Sequence, residues 1–184
     1  TVIEDPTPLN PDYSSGELYH RTKHLQQLYN SMENPGQALL LSAPQGTGKT
    51  AVLQEIHRNS ERTTCYIPCK EFDTEYKSLN QIYGELTDEN RGTGHHVSEL
   101  QRDIQKQIPH QKPVIILDDV EFLLFNDDDS LLYYLSRVEN NEHLNLILSS
   151  RQTREQLELE ERTRSSLQIR QRRVEPYTAE EAYQ

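Results

Sequence analysis

The chain has 184 residues, a formal net charge of −11 at pH 7 and a mean hydropathy of −0.87. That length is enough for one domain with a real core. No stretch approaches the ~20 apolar residues of a membrane-spanning helix, and the start lacks a basic-then-apolar secretion signal, so the expectation is a cytoplasmic protein with no membrane partner.

Residues 1–16 hold Pro6, Pro8 and Pro11 with little apolar content and read as an extended lead-in. Leu25, Leu28, Tyr29 and Met32 recur at helical spacing, which predicts a helix over Arg21–Glu33, ended by Asn34-Pro35-Gly36. Strand one is predicted at Gln37–Ser42 and a helix at Lys49–Asn59. Thr63–Pro68 is β-rich and reads as strand two. Tyr76, Leu79, Ile82, Tyr83 and Leu86 mark the next helix, and Glu89–His96 reads as a polar loop. Val97, Leu100, Ile104 and Ile108 predict a third amphipathic helix, stopped by Pro109. Strand three is Val114–Asp118. Leu131, Leu132, Leu135 and Val138 form a helix face, and Leu144–Ser149 reads as strand four. Glu155–Glu161 is helix-like and very acidic. Gln168–Val174 predicts a fifth strand, weakened by its arginines. Thr178 with Glu181 forms a capping box, so a helix is expected to start near Thr178. The chain stops at Gln184, within two turns, which reads as a fragment, a truncated chain or a decayed copy. Strands alternating with helices imply α/β architecture: a five-stranded parallel sheet with helices on both faces.

One stretch carries chemistry above all others. Ala43-Pro44-Gln45-Gly46-Thr47-Gly48-Lys49-Thr50 lies between an apolar strand and a helix, the context of a phosphate-binding P-loop. Ala43 stands where the usual pattern has its first glycine. Backbone N–H groups converge on phosphate oxygens only where no side chain intervenes, which favours Gly46 and Gly48. The helix that follows aims its unpaired N–H groups at the same anion. Lys49 would reach the β- and γ-phosphates, and the Thr50 hydroxyl would ligate Mg²⁺. The alternative, a glycine turn followed by a chance Lys-Thr, lacks any reason for the strand and helix around it.

A second signal lies downstream. Val114-Ile115-Ile116-Leu117 is a continuous apolar run, as in strands buried on both faces, and ends in Asp118-Asp119. Acids at the carboxyl end of such a strand lie where open α/β sheets bind ligands. Asp118 would hold Mg²⁺, mostly through water, and Asp119 would orient or deprotonate the attacking water. The alternative for an acidic pair after a strand is a helix N-cap.

Other features are weaker. Cys65 and Cys69 are too far apart on one strand to bridge and read as reduced. His95-His96 has no partner at ligand spacing and reads as a solvated loop. Asp127-Asp128-Asp129 lacks the glycine and terminal glutamate of a calcium loop and is read as acids complementing the Ser130 helix dipole. Seven arginines fall between Arg151 and Arg173, either as a phosphate- or subunit-facing patch or as a face paired with Glu155–Glu161. Arginine outnumbers lysine 13 to 6. Many acids with few lysines suit a halophilic archaeal protein, in which salt screens self-repulsion, and equally an ordinary acidic cytosolic domain.

Taken together, the stretch from Tyr13 to Tyr183 resembles the AAA+ ATPase domain of archaeal replication initiators of the origin-recognition and Cdc-six type. Leu18-Tyr19-His20-Arg21 is similar to the family's His-Arg segment near the adenine, which implies a binding role for Arg21. Tyr66-Ile67-Pro68-Cys69 and the helix after it resemble strand two and the initiators' helical insert. Asp118-Asp119-Val120-Glu121 stands for the family's Asp-Glu-Val-Asp. Leu148-Ser149-Ser150-Arg151 resembles the end of strand four, which implies Ser150 at the sensor-one position, usually Asn. Arg162-Thr163-Arg164-Ser165-Ser166-Leu167 is similar to the arginine-finger motif, which implies Arg162 as the finger. Pro176-Tyr177-Thr178-Ala179-Glu180-Glu181 looks like the junction into the lid.

The resemblance implies a domain over residues 17–177, the start of a lid helix at 178–184, and no lid or winged-helix domain in this sequence. It implies ATP or ADP with Mg²⁺ as cofactors, the nucleotide contacts being Arg21 and Pro44 to Thr50. The implied partners are origin DNA in a full-length protein, neighbouring AAA+ subunits and a replicative helicase. Two departures bear on catalysis. Asp119 is one methylene shorter than Glu, and a ~1 Å displacement can cost on the order of 100-fold in rate. Ser150 places its donor differently from Asn. The leading expectation is therefore an ATP-binding module with slow hydrolysis, weak on DNA by itself. The alternatives are a regulatory switch or interaction protein that binds ATP without hydrolysing it, or another P-loop ATPase of transposition or signalling.

Overall fold

The central strands form where the sequence places apolar runs, and the way each strand is buried follows its position in the sheet. The computed structural model describes residues 37–89 and 94–173. β1 (Ala38–Ser42), β3 (Val114–Asp118) and β4 (Asn145–Ser150) are buried at every position. β2 (Thr64–Pro68) alternates buried and half-buried residues, and β5 (Arg170–Arg173) is largely exposed. All pairings are parallel, in the order β2-β3-β4-β1-β5. The continuous apolar runs thus occupy the centre, and the arginine-bearing strand takes an edge, where its side chains reach water.

The helices are α1 (Lys49–Asn59), α2 (Glu75–Thr87), α3 (Val97–Gln111), α4 (Glu121–Asn126), α5 (Ser130–Arg137) and α6 (Glu161–Leu167). Strand alternation divides the core. Leu39 and Leu41 of β1, Val114 and Ile116 of β3 and Ile147 of β4 pack on Val52, Leu53 and Ile56 of α1. Leu40, Ile115, Leu117, Leu146 and Leu148 face the other way, against α2, α3, α5 and α6.

Register decides where the loops emerge. Ser42 stands beside Ser150 and Pro68 beside Asp118, so β1, β2, β3 and β4 end along one rim. β1 and β3 are separated by β4, which leaves a crevice above β4 flanked by the glycine loop and by Asp118-Asp119.

The observed elements match the expected ones with three differences. First, α3 passes through Pro109 and ends at Gln111. The N–H that proline lacks falls in the last turn, and Lys112, at φ 47°, closes the helix by donating its amide to the Ile108 carbonyl at 2.9 Å. Second, the acidic stretch 155–160 is not helical, and α6 begins at Glu161. A helix would stack Glu155, Glu158 and Glu161 at three-residue spacing, and like charges there repel. Instead Leu157 is buried and Leu159 packs on the core, while Arg164 donates to the carbonyls of Arg154 and Leu157, both at 2.9 Å. Third, α4 was not anticipated; six residues are too few to show a helical period. The expected lead-in, the Arg21–Glu33 helix and the Thr178 helix lie outside the described residues. Among the described residues no helix is long and apolar enough to cross a membrane. Cys65 and Cys69 are both free and buried.

Leu53 is fully buried beneath α1. Leu53→Ala is expected to destabilise the chain by about 2–5 kcal/mol, read as a lowered midpoint in urea denaturation. It also loosens the seat of the helix whose first turn carries Lys49 and Thr50.

Candidate phosphate-binding site

The site begins where β1 ends. Gly46 and Gly48 have φ of 81° and 77°, in the left-handed region that L side chains rarely adopt. A Cβ on Gly46 would meet no atom within 4 Å, so glycine is required there for backbone conformation rather than for room. Gly48 is also the N-cap of α1, so the loop turns directly into the helix N-terminus. Thr47 Oγ1 donates to the Pro44 carbonyl at 2.8 Å. The Ala43 amide donates to the Ser150 carbonyl at 3.2 Å, which fixes the loop's first residue to β4.

Lys49 is 6% exposed. Its Nζ donates to the carbonyls of Ala43 at 2.6 Å and Pro44 at 3.0 Å. Burial pushes its pKa below the usual lysine value, against the opposing pull of Asp119, Glu121 and Asp118.

Asp118 is the point where the elements meet. It is 4% exposed, and its Oδ2 accepts from Thr50 Oγ1 at 2.9 Å and from the Tyr66 hydroxyl at 2.6 Å. Its Oδ1 accepts from Ser149 Oγ. Burial, and then the bond to Asp118, push the Tyr66 phenol's pKa well above its ordinary value. The Ser149 hydroxyl also accepts the Asp119 amide at 2.8 Å. Asp119 sits at φ 54°, and its Oδ2 pairs with Lys70 Nζ at 2.8 Å. Asp119 raises the Lys70 pKa by accepting this hydrogen bond.

A cavity of about 540 Å³ opens beside these groups, lined by Gln45, Gly46, Gly48, Lys49, Thr50 and Asp119 together with Gln54, Lys70, Phe122 and Arg151. Lys70 Nζ lies 5.4 Å and the Arg151 guanidinium 5.6 Å from the centre of the Phe122 ring. Glu121 Oε1 accepts both the Arg151 Nε–H at 2.9 Å and the Arg151 amide at 3.2 Å.

The structure therefore brings together Gln45, Gly46, Thr47, Gly48, Lys49, Thr50, Asp118 and Asp119, with Pro44 supporting the loop through its carbonyl. Two expected site residues stand apart. The Ser150 hydroxyl accepts the Gln152 amide at 3.0 Å and does not line the cavity. Arg162 pairs with Glu160 at 2.8 Å, lies 4.7 Å from the Tyr133 ring centre and lines a different cavity, between α3 and α5. Arg21 lies outside the described residues. Sequence reasoning missed Tyr66, Lys70 and Ser149 as site residues. Register brings Ser149 to the site: in β4, Ile147 faces α1, so two residues on Ser149 faces the same way as Asp118.

The arrangement offers an anion cradle with a buried cation, beside a hydroxyl–carboxylate pair of hard oxygens suited to Mg²⁺. Residues 32–157 match the family described as AAA domain. The ORC1-type DNA replication protein 1 of Sulfurisphaera tokodaii is 29% identical over 190 residues, which cover 94% of this chain and 48% of that protein. The Aeropyrum pernix ORC1 protein, solved in complex with DNA, superposes with a TM-score of 0.77 at 26% identity, over 97% of this chain and 51% of that one. Cdc6p from Pyrobaculum aerophilum gives the same TM-score at 22% identity, over 98% and 52%. The chain spans about half the length of these relatives. It belongs to the AAA domain family, and the relatives it resembles over most of its length are Orc1/Cdc6-type proteins.

Proposed function

We propose that this chain binds Mg·ATP or Mg·ADP in the crevice between β1 and β3 and acts as the ATPase module of a DNA replication initiator, with slow hydrolysis. The observation that carries the reading is the meeting of Thr50 and Asp118, 2.9 Å apart beside a glycine loop whose lysine is buried. In this reading Gln45 to Thr50 cradle the phosphates, Lys49 exchanges its two loop carbonyls for phosphate oxygens, and Arg21 lies by the adenine. Thr50 and Asp118 would hold Mg²⁺, the latter mostly through water, and the ion would supply charge neutralisation at the terminal phosphates.

Asp119 is the water-orienting carboxylate, and its pairing with Lys70 at 2.8 Å means that it must share or leave that ammonium to do so. Ser150, at the sensor position, acts on the site through its carbonyl, which holds the Ala43 amide. Arg162 serves the site of a neighbouring subunit; its exposure and its distance from this chain's own cavity support that role. In a full-length initiator context the partners would be origin DNA, further AAA+ subunits and a replicative helicase. The acidic surface suits an archaeal, salt-rich cytoplasm. A second reading, a switch that binds ATP without hydrolysing it, is favoured by the same Lys70–Asp119 pair.

Three outcomes are expected. Lys49→Ala removes the main cation facing the phosphates, at a cost of about 2–3 kcal/mol, or on the order of 100-fold in Kd; unchanged Mg·ATP affinity by calorimetry refutes the site. The chain alone binds duplex DNA with a Kd in the range of about 10⁻⁶–10⁻⁴ M at physiological salt and without sequence preference; a nanomolar, sequence-specific mobility shift contradicts this. Phosphate release by the isolated chain is barely above background. Asp119→Glu raises it, and Arg162→Ala lowers it only at protein concentrations where the chain assembles, since a trans-acting arginine supplies about 10³–10⁵ in rate. Brisk turnover independent of protein concentration refutes both assignments.

A further inference from the structure

We propose that Tyr66 sets the metal preference of this site: by filling one oxygen of Asp118 it keeps that carboxylate from gripping a cation with both oxygens, and so favours Mg²⁺ over the larger Ca²⁺. The inference rests on the nucleotide-binding reading above and adds the metal specificity of the same site.

A carboxylate offers about four lone-pair positions, two on each oxygen. Asp118 Oδ2 accepts from Thr50 Oγ1 at 2.9 Å and from the Tyr66 hydroxyl at 2.6 Å, so both of its positions are taken. Oδ1 accepts from Ser149 Oγ, which leaves one position there among the described residues. The Thr50 bond is compatible with a metal, because a hydroxyl donates through its hydrogen while its own oxygen keeps lone pairs to offer. With Oδ2 full, Asp118 can meet an ion through Oδ1 alone or through a water. Mg²⁺ suits that restriction: it is small, near-octahedral, keeps several waters and needs only one or two carboxylates besides phosphate. Ca²⁺ takes about six to eight oxygens at longer distance and uses carboxylates with both oxygens, so it loses more.

Tyr66 is fixed in this role from both ends. Its amide donates to Glu85 Oε2 at 2.9 Å, and its backbone pairs with Ile116, two residues before Asp118. Its ring packs on the core beneath α1, 5.8 Å from the His57 ring, and the Gln54 side chain hydrogen-bonds its phenol. Burial, then the bond to Asp118, keeps the phenol protonated and therefore a standing donor. Tyr66 does not line the nucleotide cavity, so it acts through Asp118 and is a positioning residue. The two donors that flank Asp118 differ in what they block. Loss of the Tyr66 hydroxyl opens a position on Oδ2 and allows a two-oxygen grip. Loss of the Ser149 hydroxyl opens a second position on Oδ1 only, and Oδ2 stays full.

The test is calorimetry of ADP binding to the 184-residue chain in saturating Mg²⁺, in saturating Ca²⁺ and in EDTA. The affinity of ADP itself for each ion is common to all variants and cancels when their Ca-to-Mg affinity ratios are compared. The parent is expected to bind Mg·ADP more tightly than Ca·ADP. Tyr66→Phe keeps the ring and removes the donor. It is expected to raise the Ca-to-Mg ratio about tenfold and to leave metal-free ADP affinity within about twofold of the parent. Ser149→Ala is expected to keep the ratio within about twofold of the parent. A purely structural role for Tyr66 would move the Mg²⁺, Ca²⁺ and metal-free affinities together. An unchanged ratio in Tyr66→Phe, an equal rise in Ser149→Ala, or a parent that binds Ca·ADP as tightly as Mg·ADP overturns the inference and leaves the nucleotide site standing. Failure of the parent to bind ADP under all three conditions overturns the underlying reading and this inference with it. Circular dichroism verifies the fold of each variant; should Tyr66→Phe not fold, the parent's preference and the Ser149→Ala ratio decide.

Discussion

The Asp118 carboxylate is the interaction on which the rest of the site depends. Its two oxygens accept hydroxyls from Thr50, Tyr66 and Ser149, one each from α1, β2 and β4, while its own backbone ends β3. A buried carboxylate that lost these donors would be left with a desolvated charge, at a cost well above that of a neutral polar group. Three hydrogen bonds converging on one ion therefore set the mutual position of the helix that starts the phosphate loop and the strands that bear the acids. The same burial makes the arrangement stiff: each donor comes from an element already fixed by core packing, Tyr66 and Ser149 from the sheet and Thr50 from a helix seated on Leu53 and Ile56.

Strand order makes that convergence possible. Inserting β4 between β1 and β3 opens the rim just where the glycine loop and the acidic pair emerge. It also brings the end of β4 to the foot of the loop, so that the Ser150 carbonyl holds Ala43 and Arg151 faces the cavity. Neither contact depends on sequence proximity; both follow from parallel register between strands more than 100 residues apart along the chain.

This separates what could be read from the chain alone from what could not. The glycine loop, Lys49, Thr50 and Asp118 were legible because their chemistry is local: residue type and spacing within one strand–loop–helix unit already imply phosphate and metal oxygen ligands. The helix Lys49–Asn59 and strand Val114–Asp118 were legible for the same reason, being long or uniformly apolar. Tyr66, Lys70 and Ser149 were not, because their roles exist only once β2, β3 and β4 are side by side. Ser149 and Ser150 show the difference most clearly: one residue of register decides which hydroxyl shares a face with Asp118, and resemblance alone pointed to the other. The acidic stretch 155–160 misled in the opposite sense. Its composition suits a helix, yet buried Leu157, packed Leu159 and the Arg164 bonds to its carbonyls hold it open.

Charge adds a last constraint. The chain is strongly acidic, yet Lys49, Lys70 and Arg151 converge on one cavity, each already engaged with an oxygen acceptor. These engagements differ in how far solvent ions reach them. The Lys70–Asp119 side chains are 57% and 15% exposed and the Arg151–Glu121 side chains 45% and 11%, whereas Asp118 is 4% exposed. Screening acts first on exposed charge pairs and least on buried ones, with a Debye length of about 3 Å at 1 M salt against about 8 Å at 0.15 M. Rising salt therefore weakens the Lys70–Asp119 pair before it touches the hydrogen bonds around Asp118. On the proposed reading, an acidic chain in a salt-rich medium thus keeps Asp118 in place while the Lys70–Asp119 pair, the one assigned to the attacking water, loosens before it.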